Sequence, residues 1–561
     1  MSELPRGALA AVRAHNAVFF RERGRARRAR VVTFGCQMNE NDSEKIMGLL
    51  CEMGFEFVPA SPPGSFGNPA PLGIREGEAP ELVILNTCCV RENAEQRLFG
   101  VLGSLKRWKR EDPGRVVAVC GCMMQEDGAV SEIRQKYPFV DFIFGTQSIS
   151  ELPSLLCRVY ERAGQADRYG SPAHVMAVEN RLDGRSIEDD LPFHRKAPPA
   201  ALVSVMTGCD NFCSYCIVPY VRGREKSRLP ESVYREVCGL AASGYREVTL
   251  LGQNVNSYGK DILGGAVDFA GLLTRLCEIE GIARIRFMTS HPKDLSDRLI
   301  YAMRDLDRVC GHLHLPVQSG STRILARMNR GYSREDYLAL VYKVRGAIPD
   351  IALTTDVIVG FPGETESDFS DTLALAAEAE FDMAYTFLYS PREGTPAARL
   401  EEQVDRGVMA ERFSRLVELQ NGVSLKKNRR LLGSRVTVLC EGLSKTNPER
   451  LTGRTPGGRV VNFTAGELPR RGEPAFGCEP AAANRCADTE SAAPPVAFVG
   501  ALVDVLIEDA RTWSLEGRAT GFAAEDRTAG LVAAAEGRAA GFAASGRMAR
   551  AAAADRGGEA L

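Results

Sequence analysis

Apolar residues in the first third of the chain fall into short β-branched runs, each followed by a stretch with helical periodicity. ARVVTF (29–34) precedes NDSEKIMGLLCEMG, with Asn41 to Ser43 as capping candidates, and ELVILN precedes RENAEQRLFGVLGSLKRWKR. RVVAV precedes MMQEDGAVSEIRQKY, and VDFIFG leads into SISELPSLLCRVYERA. This alternation predicts an α/β, doubly wound parallel sheet over residues 30–165. Over 198–430 the alternation resumes with six further strands: LVSVM, EVTLLG, RIRFM, GHLHLP, IALTTDVIVG and MAYTFLY. Six units fall short of the eight of a closed barrel, so a partial (β/α)6 barrel is predicted. After a long helical stretch, alternating strands (SRVTVLCEG, LTGRTPGGRVVNF, FVGALVDVLIEDA, TWSLEGRA) predict a small C-terminal antiparallel β-barrel over 431–517. A Pro/Gly-rich stretch at 61–80 and a second one at 467–495 read as insertions, the latter holding Cys478 and Cys486 without neighbouring ligands. EGRATGFAA from Glu516 recurs as EGRAAGFAA from Glu536, and 518–561 reads as a low-complexity tail.

Charge changes this picture only locally. The 561 residues carry a formal net charge of -2, so there is no global basic excess to mark nucleic-acid binding. Between Lys426 and Arg459, however, nine Lys/Arg stand against Glu441 and Glu449, a balance of +7 on the predicted small barrel. That is an electrostatic footprint for nucleic acid. Residues 1–29 form a basic N-terminal extension, whose RERGRARRAR at 21–30 reads as a solvated, disordered lead-in rather than an RNA-contacting arm. Arg6 and Arg13 break the first apolar stretch, and no run is long enough to span a bilayer. A cytoplasmic protein with no membrane association is expected, in which 16 cysteines point to metal or catalysis rather than disulfides.

The cysteines carry the chemistry. Cys209, Cys213 and Cys216 stand at C-x3-C-x2-C spacing directly after the first barrel strand. Three thiolates without a fourth ligand nearby do not close a tetrahedral zinc site. They suit three irons of a [4Fe-4S] cluster whose fourth iron stays open, with Phe212 and Tyr215 interleaved to exclude water. Cys36, Cys88 and Cys122 follow the first three N-terminal strands, whose carboxyl ends converge on one crevice. A second cluster there is a candidate, although spacing alone leaves Cys89 and Cys120 open as ligands. Other strand ends offer ligand contacts: Gln253 and Asn254; His314, Gln318 and Ser319; Gly360, Gly363 and Glu364, where glycines would admit a flat ligand. His291 and His312 read as packing or loop-bonding residues.

The C-x3-C-x2-C string, with an aromatic before its last cysteine, resembles the radical SAM superfamily signature. Continued through PYVRGREKSR, it is similar to the methylthiotransferase branch. That resemblance covers roughly residues 30–517 less the insertions, and its patterns G-C-Q-M-N, N-T-C-x-V-R-E and G-C-x-x-Q select Cys36, Cys88 and Cys122. Gln253 and Asn254 match its Q-N string where many radical SAM enzymes carry G-G-E. The basic barrel looks like a TRAM domain. The resemblance implies two [4Fe-4S] clusters and S-adenosyl-L-methionine (SAM) held by the strand-end residues above. It further implies a 5′-deoxyadenosyl radical that takes hydrogen from an adenine C2, sulfur delivered from the second cluster, and a second SAM as methyl donor. The implied partners are a tRNA anticodon loop carrying isopentenyladenosine and a reductant such as flavodoxin or ferredoxin, the enzyme acting as a monomer. Sister branches acting on threonylcarbamoyl adenosine or a ribosomal-protein aspartate are the near alternatives. A non-enzymatic iron-sulfur RNA-binding sensor is the distant one.

Overall fold

Neighbouring residues of the central N-terminal strands bury on opposite faces of one sheet. Ile84, Val116 and Ala118 pack with Ile46, Leu49, Leu155 and Leu156 from one set of helices. Val83, Leu85, Val117 and Val119 pack with Leu98, Leu102, Val130 and Ile133 from the other. Helices on both faces need strands that bury every position, as Leu82–Thr87 and Val116–Gly121 do, mostly with apolar side chains and with Asn86 and Thr87 at the end of the first. In the computed structural model, which describes residues 6–58, 79–89, 92–163, 175–177, 191–262, 267–466 and 498–524, this sheet has six strands. Their order is Glu56–Phe57, Arg28–Phe34, Leu82–Thr87, Val116–Gly121, Phe142–Phe144, Val175–Ala177, each pairing parallel with the next. The chain reverses its direction of travel between Arg28–Phe34 and Leu82–Thr87. That is a topological switch point, where open sheets place their ligands.

Six barrel strands form where the hydrophobic runs predict them, as two three-stranded sheets. Ala200–Ser204, Glu247–Leu251 and Arg284–Phe287 make one, and His312–His314, Ala352–Val359 and Met383–Leu388 the other. A single parallel bridge, Ile285 to Val309, connects the two edges. The outer faces bury Val248, Leu250, Ile285, Phe287, Leu313, Val357 and Val359 in one core. In the interior Glu247 pairs with Arg286 at 2.8 Å, and Thr354 bonds both His312 and His314 at 3.0 Å.

The chain divides into two compact units, Met1–Ala197 with Ala201–Leu419, and Pro198–Ala200 with Gln420–Leu561. The second holds a closed five-stranded barrel of Arg435–Leu443, Leu451–Arg454, Val460–Thr464, Ser514–Phe522 and Leu502–Ala510. Four of its seams are antiparallel and the fifth, Val460–Thr464 against Ser514–Phe522, is parallel. Val438, Val461, Phe463, Val503, Val505 and Leu515 fill it.

Two expectations need correction. The arginine-rich lead-in is ordered: a helix, Arg6–Arg23, buries Val12 and Asn16, and the first strand starts at Arg28. Its arginines find partners, Arg25 on Glu81 at 2.5 Å and Arg27 over the rings of Phe19 (4.3 Å) and Tyr160 (5.1 Å). The tail does not begin at 518, because Ser514–Phe522 continues as a strand in which Leu515, Gly517 and Ala519 face the barrel core. The second repeat copy, nearly all of insertion 61–80, and the whole of 467–495 with Cys478 and Cys486 lie outside the described residues.

Candidate metal and cofactor site

At the switch point the first two strand ends are locked by a reciprocal pair of buried asparagines. Asn39 Nδ2 donates to Asn86 Oδ1 at 3.0 Å and to the Thr87 carbonyl at 3.2 Å, while Asn86 Nδ2 donates to the Asn39 carbonyl at 2.9 Å. These are the asparagines of G-C-Q-M-N and of the L-N-T-C string. The pair brings Cys36, at the N-terminus of helix Gln37–Glu52, against Cys88, whose thiol donates to it. Two glycines make the approach possible. Gly35 has φ +136, and a Cβ there would lie 2.4 Å from Cys88 Cβ; Gly121 has φ +104, and a Cβ there would lie 2.2 Å from the Thr87 carbonyl. Gly121 thereby leads Cys122 to the same crevice.

The thiols differ in charge preference. Cys36 is drawn down to about 5, first by the Cys88 hydrogen bond and then by the Arg222 guanidinium. Cys122 is lowered by the thiol of Cys89, which donates to it and is itself pushed up. Cys120 packs in the opposite core with Ala118 and Phe144, where burial raises it well above the usual thiol range. Arg222, 7% exposed, donates from Nε to Cys122 Sγ at 3.1 Å and from Nη2 to Asp42 at 2.7 Å. Removing either member of such a buried pair strands a charge, at about 3–5 kcal/mol.

The barrel loop is pinned at three points. Ser214 bonds the carbonyls of Met328 (3.0 Å) and Arg327 (2.8 Å), Asn329 Nδ2 donates to the Phe212 carbonyl at 3.0 Å, and the Cys209 N–H donates to the Gly223 carbonyl at 3.1 Å. Phe212, at φ +45, lies under Arg224 and edge-on to Tyr220. Burial pushes Cys209 up to about 11 and Cys216 to about 12, so filling this site must displace protons. Arg330 Nη1 donates to Cys213 Sγ at 3.3 Å and to the Tyr215 hydroxyl at 3.4 Å, while Nη2 holds the Pro316 carbonyl at 2.8 Å.

The other predicted contacts divide. Gln253 Oε1, Ser290 Oγ and His291 Nε2, at neighbouring strand ends, are buried without a hydrogen-bond partner. Burial takes His291 down to about 3, so its ring is neutral, and its Nδ1 accepts from the Lys293 N–H. Asn254 is committed to the fold, bonding Asp294 at 2.8 Å and the His291 N–H at 3.2 Å. Gln318 sits at φ +72 with its backbone bonded to Asp356 and Ile358. Glu364 accepts from the Gly360 N–H and from Arg412, both at 3.0 Å. The space over Gly360 and Gly363, expected for a flat ligand, is taken by Met409 and by Arg327 with Glu402.

Among the described residues no three His, Cys, Asp or Glu side chains converge tightly enough for a single ion. A four-iron cube is gripped differently, one thiolate per iron around its periphery. Two sets of three thiols, one on a single loop and one gathered from three strand ends, each with a buried guanidinium on one sulfur, fit such a group. So does Thr87 Oγ1, fully buried next to Cys88 and unpartnered. Sequence reasoning missed both arginines. Arg222 was within reach, being part of Y-V-R-G-R-E, whereas Arg330 lies 117 residues from Cys213 and had no local sign.

The Radical SAM superfamily model matches residues 203–376, and the uncharacterized protein family UPF0004 matches residues 73–145. A tRNA-2-methylthio-N(6)-dimethylallyladenosine synthase of Acetivibrio thermocellus is 50% identical over 485 residues, covering 86% of this chain and 89% of its own length. One from Thermoanaerobacter sp. is 46% identical, covering 87% and 91%. The radical S-adenosylmethionine methyltransferase TsrM of Kitasatospora setae shares the fold at 14% identity, with a TM-score of 0.50 over 71% of this chain and 89% of that one. No helix among the described residues is long and apolar enough to cross a membrane. With two cysteine triads at strand ends and relatives this close over most of its length, the chain belongs to the family of the tRNA-2-methylthio-N(6)-dimethylallyladenosine synthases, which are radical SAM methylthiotransferases.

Proposed function

We propose that this enzyme methylthiolates C2 of N6-isopentenyladenosine at position 37 of tRNA, using one [4Fe-4S] cluster on Cys209, Cys213 and Cys216 and a second on Cys36, Cys88 and Cys122. The observation that carries the reading is the placement of both thiol triads at strand carboxyl ends of one compact unit. When bound, the clusters and two SAM per turnover supply the radical that opens the C2–H bond, the sulfur, and the methyl group. The chain's residues position these groups. The buried, unpartnered oxygens of Gln253 and Ser290 suit a polar ligand such as SAM, with Gln318, Phe212 and Tyr215 around it. Asn254 and Glu364 act by holding the loops, and Gly360 and Gly363 by letting those loops pack. On the last barrel strand Tyr385 and Phe387, 42% and 40% exposed, offer rings on which an unstacked loop adenine and its isopentenyl group can lie. The electron donor is a flavodoxin- or ferredoxin-type protein, and the enzyme works as a cytoplasmic monomer.

Deleting the gene tests the substrate. Digested tRNA nucleosides should then show isopentenyladenosine accumulating and its methylthio derivative absent by mass spectrometry. Unchanged tRNA nucleosides, with one methylthio mass lost from a ribosomal protein, would move the assignment to the sister branch.

The small barrel is the proposed tRNA clamp. Lys426, Arg429, Arg430, Arg435, Lys445 and Arg454 are exposed, although Arg454 also pairs with Glu441. Asn428 Nδ2 bonds the carbonyls of Arg511 (2.8 Å) and Thr512 (3.1 Å), which holds Trp513, 58% exposed, beside the basic helix end. Removing the chain from Leu432 onward should weaken tRNA binding at least about tenfold and leave SAM cleavage in place. For the intact enzyme, about five phosphate contacts would make log K fall by roughly 3.5 per tenfold rise in salt. Filter binding across a salt series measures both, and equal affinity in the truncated chain would remove the barrel from this role.

A further inference from the structure

Residues 222 and 223 touch both triads. The Gly223 carbonyl accepts the Cys209 N–H at 3.1 Å, and the Arg222 side chain reaches Cys122 Sγ at 3.1 Å. The short helix Val218–Val221 brings them there, because Ile217 and Val221 bury in the N-terminal core alongside Cys89, Cys122 and Met123. A buried guanidinium is costly unless paired, and Asp42 supplies one partner at 2.7 Å. Its Nε–H is directed at a sulfur, which points to a second, anionic partner.

We infer that Arg222 is the positioning residue of the second cluster site: its buried positive charge raises the reduction potential of the group on Cys36, Cys88 and Cys122, while the carbonyl of the adjoining Gly223 ties that site to the barrel loop. This rests on the two-cluster reading above. A cluster on three thiolates gains negative charge on reduction, and a fixed cation at hydrogen-bond distance stabilises the reduced form more than the oxidised one. Taking Arg222 away also leaves the Asp42 carboxylate without its ion-pair partner, which disfavours reduction further. A lysine keeps the charge but not the fork that serves two acceptors.

The test uses the full-length chain with Cys209, Cys213 and Cys216 all changed to Ala, so that only the second site contributes a signal. Arg222→Gln and Arg222→Lys are introduced into it, and each protein is titrated electrochemically with electron paramagnetic resonance detection. At the potential where the parent is half reduced, Arg222→Gln should lower the reduced-to-oxidised ratio at least about tenfold, which is about 59 mV for a one-electron couple. Arg222→Lys should stay within about threefold of the parent, because it retains the charge. Iron lost from the Gln variant but kept by the Lys variant, at the parent potential, also supports the inference. An unmoved titration in Arg222→Gln, equal falls in both variants, or iron lost from both would each overturn it. A parent that binds no iron would instead sink the two-cluster reading itself, so the two failures are told apart.

Discussion

Alanine at Cys209, Cys213 and Cys216 together is expected to abolish SAM cleavage and to cut anaerobically reconstituted iron from about eight atoms per chain to about four. No other substitution should stop SAM cleavage as completely, because no other group in the loop can take over a lost thiolate. Asp210 engages Arg224 at 3.3 Å and Asn211 accepts from Lys293 at 2.9 Å, so the neighbouring polar side chains are already committed. The fold should survive. The loop is held by main-chain bonds to Gly223 and Met328 and by the side chains of Ser214 and Asn329, none of which involves a sulfur. Each replacement should cost about 1 kcal/mol, well within the stability of a domain. Iron analysis, far-ultraviolet circular dichroism and chromatography of 5′-deoxyadenosine check the three parts. 5′-Deoxyadenosine at parental yield from the triple variant would show that the radical is generated elsewhere.

What could be read from the sequence follows from how local each determinant is. Strands buried on both faces, such as Leu82–Thr87, are apolar at consecutive positions, and C-x3-C-x2-C lies within one loop; both are visible in a short window. The convergence of Cys36, Cys88 and Cys122 was legible only as far as strand ends of one sheet converge. The asparagine lock between residues 39 and 86, and the glycines at 35 and 121 that allow the approach, appear only once strand order is known. Charge misled in one place. Arg25 and Arg27 read as solvent-facing, yet their partners Glu81 and Tyr160 lie far along the chain, and no local pattern announces them. Glycine misled in another, since Gly360 and Gly363 make room for Met409, Arg327 and Glu402 rather than for open space. The tail's Gly/Ala/Arg composition hid only the end of the last strand, which runs on from TWSLEGRA to Phe522, with Gly517 and Ala519 buried toward the barrel interior.

Replacing Cys36, Cys88 and Cys122 by alanine should divide the chemistry in the opposite way. SAM cleavage should persist at a rate within about threefold of the parent, because the barrel loop keeps its own anchors. Iron should again fall to about four atoms per chain, and no sulfur should reach the nucleoside. The loss of product should exceed the effect of any single strand-end variant, since this triad is the proposed source of the sulfur rather than an aid to its delivery. Two neighbouring thiols provide the control. Cys120 sits in the opposite core with Ala118 and Phe144, so Cys120→Ala should cost packing but leave iron content unchanged. Cys89 donates a hydrogen bond to Cys122, so Cys89→Ala should keep the cluster and shift its electronic spectrum. Iron analysis with mass spectrometry of tRNA incubated with each variant decides the matter. Methylthiolated nucleoside formed by the triple variant would remove the second cluster from the mechanism, and loss of iron in Cys89→Ala would make that thiol the ligand in place of a neighbour.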